Sequence, residues 1–183
     1  QLHHLFSIEI DEKRREFIAN KWGLDFLFSD VIELSENDWD GLDQMSNYLR
    51  VVPGEVDIIF AGIECDSVSP LNANSQSNWD CVRKGTGKTG RTAQACVLYV
   101  REKRPGIVMI ENVKALAAAQ HLNVLIHRFN ELGYIMWTGL LSSDQYGAPQ
   151  RRLRTYAVAV QAGCTALNQL SEGWAMPDWV KSF

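Results

Sequence analysis

Short apolar runs alternate along this chain with stretches whose apolar residues recur at helical spacing. Leu5-Phe6-Ser7-Ile8-Glu9-Ile10 reads as a strand. Asp11 has the look of a helix N-cap; Phe17, Ile18 and Trp22 share one helical face, and Gly23 closes the helix. Phe26-Leu27-Phe28 is a second short strand, ending at Ser29-Asp30-Val31. Residues 36–43 are acidic and read as a loop or a helix start, and Leu49 to Val52 leads into a Pro53-Gly54 turn. Further strands are expected near residues 56–61, 107–110, 134–141 and 154–160. Helices are expected over 92–104, broken by Pro105-Gly106, and over 117–132, closed by Gly133. Leu71 to Gly90 is rich in Asn, Ser, Gly and Gln without periodicity, which predicts a long loop.

This alternation of strands and helices predicts an α/β fold with a mostly parallel sheet. At 183 residues the chain holds one sizeable core. One domain is expected over residues 1–165, with an irregular tail over 166–183 whose Trp174, Trp179 and Phe183 call for something to pack on.

Composition changes the picture in two ways. Net charge is −4, so no global basic field draws the chain to nucleic acid, and any such contact needs a local cluster. The four cysteines, at 65, 81, 96 and 164, form neither a Cys-x-x-Cys pair nor a dense framework. That usage implies reduced thiols and an intracellular protein, with no metal site expected. No apolar stretch reaches membrane-spanning length and no signal peptide is visible. The first residue is Gln, which suggests a start inside a longer protein.

Candidate chemistry gathers at strand ends. The run Val56-Asp57-Ile58-Ile59-Phe60-Ala61 leads through Gly62 to Cys65, just past the carboxyl end of a strand, where open α/β sheets collect ligands and reactive groups. A lone cysteine after an apolar run is more often a small buried residue. Ile107-Val108-Met109-Ile110 ends likewise in Glu111, and parallel strand ends share one edge, so Cys65 and Glu111 are expected to face one pocket. A thiolate there can add to an electron-poor ring carbon while a carboxylic acid protonates the ring nitrogen. Arg151, Arg152 and Arg154 can hold a carbonyl oxygen or phosphates; equally, Glu111 can pair with an arginine, and Gln150 to Arg154 can be a solvated edge. Gly85-Thr86-Gly87-Lys88-Thr89-Gly90 is not a phosphate loop, since the motif's first glycine falls at Val82 and no strand leads in. A cysteine hydrolase lacks its base: His3 and His4 are terminal, and His121 and His127 fall on a helix.

The order of the segments resembles one family, the cytosine-C5 DNA methyltransferases. Ala61-Gly62-Ile63-Glu64-Cys65-Asp66-Ser67-Val68-Ser69 resembles their Pro-Cys catalytic loop, and Glu111-Asn112-Val113 matches their Glu-Asn-Val motif. Asp144-Gln145-Tyr146-Gly147-Ala148-Pro149-Gln150-Arg151-Arg152-Leu153-Arg154 is similar to their Tyr-Gly-x-Pro-Gln-x-Arg-x-Arg motif. Phe6-Ser7-Ile8-Glu9-Ile10-Asp11 and Ser29-Asp30-Val31 resemble the two cofactor segments that follow the family's glycine-rich opening.

The resemblance implies a Rossmann-like S-adenosylmethionine-dependent methyltransferase core acting on a cytosine flipped out of double-stranded DNA. Cys65 would attack C6, Glu111 would serve N3, Asn112 would support that loop, and Arg152 and Arg154 would steady the base and the catalytic loop. Glu9 would bind the cofactor ribose and Asp30 the adenine amino group. Ile10 and Val31 would pack on the adenine ring, and Gly62 would lie beside the methionine part. Ser69, a mobile lid carrying Lys84 and Lys88, and the pair Gln150 and Arg151 would approach the DNA.

Departures from the family pattern set further expectations. The first strand with its Phe-x-Gly-x-Gly loop, the target-recognition region and the C-terminal motifs are not in this sequence. An incomplete sheet is therefore expected, with a gap or a substitute strand between the first strand and the Val56 strand. Weak cofactor binding is expected too, as is a further segment or chain that supplies what is missing. The alternative is an inactive remnant that at most binds nucleic acid or a partner. Glu64 stands where the family has proline, so Glu64 and Asp66 place two negative charges beside the Cys65 thiol and oppose its ionisation.

Overall fold

A computed structural model describes residues 3–69, 71–72 and 80–163; the expected tail and Cys164 lie outside the described residues. The chain divides into two compact units, residues 1–56 and 57–183. Their strands form three sheets: β1 with β2, β3 with β4, and a four-stranded sheet ordered β5-β6-β8-β7.

In the N-terminal unit, β1 (His4–Ile8) and β2 (Leu24–Phe28) pair in parallel, with Phe6 opposite Phe26, and α1 (Glu12–Lys21) is the crossover. Asp11 caps α1 by accepting from the Arg14 amide at 2.9 Å. The expected apolar face of α1 is not buried: Phe17 and Trp22 are exposed, and the helix ends at Lys21 rather than at Gly23. Asp30 caps α2 (Val31–Glu36), its Oδ1 2.8 Å from the Ile32 amide.

The segment expected to be loop and turn is instead a hairpin, β3 (Asp40–Asp43) with β4 (Tyr48–Val51), Leu42 opposite Leu49. Its pattern was unreadable because β4 is exposed along its whole length, Leu49 to 77%. What fixes it is a buried carboxylate. Asp43 Oδ1 accepts from the amides of Leu27 and Met45, and Oδ2 from the Ser46 amide and hydroxyl, at 2.6–3.1 Å.

Burial alone would raise the Asp43 pKa. The four donors outweigh it and hold the carboxyl below its ordinary value. A group depressed in this way adds stability that is complete above the unfolded-state carboxylate pKa and is lost as pH falls through the folded value. We expect Asp43→Ala to destabilise this unit by about 2–4 kcal/mol at neutral pH, because buried donors lose their acceptor. Urea denaturation measures it, and the difference from the parent should shrink in strong acid. A loss under about 0.5 kcal/mol, the scale of an ordinary surface change, would mean that Asp43 is not what fixes the hairpin.

In the C-terminal unit, β5 (Ile58–Gly62) runs parallel to β6 (Ile107–Val113), while β8 (Leu153–Gln161) runs antiparallel to β6 and to β7 (Tyr134–Ser142). Alternate residues of β6, Val108, Ile110 and Asn112, are buried. Val108 and Ile110 belong to a core with Val82, Ala93, Cys96, Val100, Leu125, Phe129, Ala157 and Ala159. The α/β class expected from the alternation of elements is the one observed, with parallel pairing for β1–β2 and β5–β6 and antiparallel pairing elsewhere.

The long loop expected up to Gly90 is partly helical: α3 spans Cys81–Lys84 and α4 spans Gly87–Lys103, starting well before residue 92. The glycines that hid these helices serve close packing. A Cβ at Gly90 would run into the Cys81 carbonyl. Arg104, in the left-handed region before Pro105, ends α4. The second expected helix is α5 (Ala119–Glu131), preceded by a 3-10 turn over Lys114–Ala117, and Gly133 at φ +80° follows it.

Candidate active site

Strand direction decides what can meet. Gly62 and Glu111 are register partners on β5 and β6, so Cys65, three residues beyond Gly62, and Glu111 lie at the same carboxyl edge. Because β8 is antiparallel, its first residues reach that edge too: Val113 faces Arg154, and Glu111 faces Tyr156. Arg154 is therefore a diagonal neighbour of Glu111, with Nε 3.0 Å from Oε1. The contact is an ion pair rather than an aligned hydrogen bond, since the Nε–H is not directed at the carboxylate. Glu111 Oε2 stands 4.0 Å from where a Gly62 Cβ would lie, so the space above Gly62 is open apart from this carboxylate. The pairing of Glu111 with an arginine, one of the readings open from the sequence, is present beside its place at the strand end.

Neighbouring side chains on β6 face opposite ways, which sends Asn112 into the core while Glu111 faces the other side. Asn112 is 2% exposed. Its Nδ2 donates to the carbonyls of Ile63 at 2.7 Å and Glu64 at 3.4 Å, and its Oδ1 accepts from the Val113 amide at 2.9 Å. The side chain staples the strand leaving β5 to the end of β6. Beyond it the chain makes one tight turn, in which the Cys65 carbonyl accepts from the amides of Val68 and Ser69 at 3.1 and 2.8 Å. Cys65 itself is half-buried; Cys81 and Cys96 are buried.

The charges beside Cys65 are not left alone. Lys88 Nζ bonds Asp66 Oδ2 at 3.0 Å. That bond, with the charges of Asp66 and Glu64, raises the Lys88 pKa. Both partners are exposed, so the pair is weak and salt-sensitive. Lys88→Ala should lower the ratio of iodoacetate to iodoacetamide labelling at Cys65 by about two- to threefold, because an anionic reagent then meets two unpaired carboxylates. High salt should erase the difference. An unchanged ratio at low salt would show that Lys88 does not shape the field at Cys65.

The remaining residues singled out in the sequence are spread more widely. Arg152 is exposed, and its amide donates to Ser143 Oγ at 3.0 Å; the Ser143 hydroxyl also bonds the Gln150 carbonyl. Gln150 and Arg151 are exposed. Lys84 is engaged with buried Asp80 at 3.0 Å, and Ser69 Oγ accepts from the Leu71 amide at 3.4 Å. In the N-terminal unit Glu9 Oε1 accepts from the Asp11 amide at 2.9 Å, Oε2 lies 3.9 Å from Arg14, and Ile10 is exposed.

Residues 1–177 match the C-5 cytosine-specific DNA methylase family. The chain belongs to that family. Over 172 residues it is 29% identical to a DNA (cytosine-5-)-methyltransferase, DMT5, of Cryptococcus neoformans var. grubii, covering 94% of this chain and 7% of that protein. It is 29% identical over 143 residues to the type II methyltransferase M.HhaI of Haemophilus parahaemolyticus, covering 76% of this chain and 40% of that one. The chain thus spans well under half of either relative. Among solved structures, the Dnmt2 methyltransferase of S. pombe shares the fold at a TM-score of 0.60 and 16% identity, with 96% of this chain and 50% of that chain covered.

Three features of this family member were not found from the sequence: the Lys88–Asp66 pair, the loop closure by Ser143, and the buried bonds between Ser67, in the Cys65 turn, and Thr89 of α4. None of the three is written in the order of residues; Gly87, whose added Cβ would strike Ser67 Oγ, shows the close approach only once the fold is known.

Proposed function

We propose that this chain is a catalytic-core segment of a DNA cytosine-C5 methyltransferase, with double-stranded DNA as substrate and S-adenosylmethionine as methyl donor. The observation that supports this best is the convergence of Cys65, Glu111 and Arg154 at one sheet edge, with Asn112 fastening the nucleophile's strand. In the proposed reaction the Cys65 thiolate forms a bond to C6 of a flipped cytosine, and the C5–C6 π electrons move to make C5 nucleophilic. Glu111 holds the N3 edge and shares a proton with it, Arg154 keeps that carboxyl in place, and Arg152 steadies the base. After methylation, loss of the C5 proton expels the thiolate and restores the ring. When bound, S-adenosylmethionine would supply an electrophilic methyl group to C5, with S-adenosylhomocysteine as the leaving group.

The residues assigned to the cofactor suit its chemistry. Ile10 offers an exposed apolar face and, with Val31, would pack on adenine. Asp30 spends Oδ1 on capping α2 and keeps Oδ2 for an adenine amino group, while Glu9 would take the ribose hydroxyls. Gly62 leaves the end of β5 open for the methionine part. Lys84, Lys88, Ser69, Gln150 and Arg151 would meet the DNA backbone, the two lysines after exchanging their carboxylate partners for phosphates.

A further segment or chain is part of this proposal. Among the described residues β5 is an edge strand of its sheet, so its outer backbone groups suit pairing with another strand. The test is incubation of the chain with S-adenosylmethionine and duplex DNA carrying 5-fluorocytosine. A complex that survives denaturant supports the reading, and none at saturating DNA and cofactor, with a glycine-rich opening strand supplied to the chain, overturns it.

A further inference from the structure

The turn that carries Cys65 is fastened to the first turn of α4 by a reciprocal pair of buried bonds. The Ser67 amide donates to Thr89 Oγ1 at 3.0 Å, and the Thr89 amide donates to Ser67 Oγ at 3.3 Å. Ser67 is 4% exposed and Thr89 0%. Thr89 is the third residue of α4, so its amide is one of the helix's unpaired donors, normally met by the N-cap side chain. Thr86, the N-cap here, makes no such bond, and Ser67 supplies the oxygen from another element. Gly87, at φ +63°, is needed beside it, because a Cβ there would strike Ser67 Oγ. The Lys88–Asp66 pair flanks the same contact, so consecutive residues of the turn meet consecutive residues of the helix.

We propose that Thr89 is a positioning residue for Cys65, its hydroxyl and amide locking the nucleophile turn onto α4 through Ser67. Asn112 fixes the strand before Cys65, and Thr89 fixes the turn after it. The thiol is thereby held from both sides in a half-buried pose. Removing the Thr89 hydroxyl leaves the Ser67 amide buried without an acceptor, which favours opening of the turn. The inference gives Cys65 its meaning through the function proposed above, but the lock can be tested without DNA or cofactor.

The test is the rate of iodoacetamide labelling at Cys65, located by peptide mass spectrometry. Thr89→Val, which keeps shape and loses the hydroxyl, should label about fivefold faster, the population change that goes with losing one net hydrogen bond. The factor should be the same across neutral and mildly alkaline pH, since access and not ionisation changes. Thr89→Ser should restore the parent rate. Val124→Ala, on α5 and packed against the same core, is the control for general loosening, compared at equal loss of thermal stability. Where Thr89→Val does not fold, Ser67→Ala removes only the second bond and should label faster by a smaller factor.

Parent-like labelling of the folded variant, no rescue by Thr89→Ser, or equal acceleration by Val124→Ala would each overturn the lock. A lock that passes while 5-fluorocytosine DNA traps nothing would leave this inference standing and remove the function. Trapping with unaltered Thr89→Val labelling would do the reverse.

Discussion

Cys65→Ser is expected to abolish the denaturant-resistant complex with 5-fluorocytosine DNA, while Cys81→Ser and Cys96→Ser trap like the parent. Fluorine at C5 removes the proton whose loss would release the enzyme, so the bond from sulfur to C6 persists and reports which atom attacked. Of the three described cysteines, Cys65 alone is more than marginally accessible. Burial pushes the Cys96 thiol up to about 12. Burial also raises Cys81, and the neighbouring Asp80 charge adds to it. Both shifts disfavour the thiolate. Serine at position 65 keeps the geometry, but a neutral hydroxyl is a far poorer nucleophile than a thiolate, so the loss should exceed about a thousandfold. Residual trapping within about tenfold of the parent would place the attacking atom elsewhere and dismantle the proposed site.

The edge that carries this chemistry was legible because two of its parts sit at strand ends. Apolar runs before Cys65 and Glu111 mark strand direction, and parallel pairing then forces both onto one edge. Arg154 was legible as a charge, but not as a partner of Glu111. That contact depends on the antiparallel return of β8, which periodicity does not reveal. The β3–β4 hairpin stayed hidden for a related reason: its outward residues, Leu42, Leu49 and Val51, are exposed, so no burial alternation betrays it. Its real determinant, Asp43, reads in sequence as one more acid in an acidic stretch. The start of α4 was hidden by glycines that are poor helix formers, kept because Gly90 and Gly87 let the backbone approach Cys81 and Ser67. Ser67 and Thr89 are 22 positions apart and each has local bonding options, so nothing in the order of residues joins them.

Asn112 is where stability and chemistry meet most directly, and its removal should be costly in both. Asn112→Ala takes away one acceptor and two donor contacts inside the core: the Val113 amide and the carbonyls of Ile63 and Glu64 lose their partner. Buried groups left unpaired cost about 1–3 kcal/mol each without full additivity, so the C-terminal unit should lose about 3 kcal/mol. Trapping should fall further than that loss explains, by about a hundredfold or more in protein still folded, because a misplacement of about 1 Å at a reacting atom is enough for such an effect. Asn112→Asp separates the two contributions. It keeps the acceptor for Val113 but turns a carboxylate oxygen toward two carbonyls, replacing attraction with repulsion. It should therefore be at least as damaging to trapping as alanine. Denaturation curves and trapping rates on the same preparations decide the matter. An Asn112→Asp variant that traps like the parent would mean that the staple between β6 and the nucleophile's strand has no part in aiming Cys65.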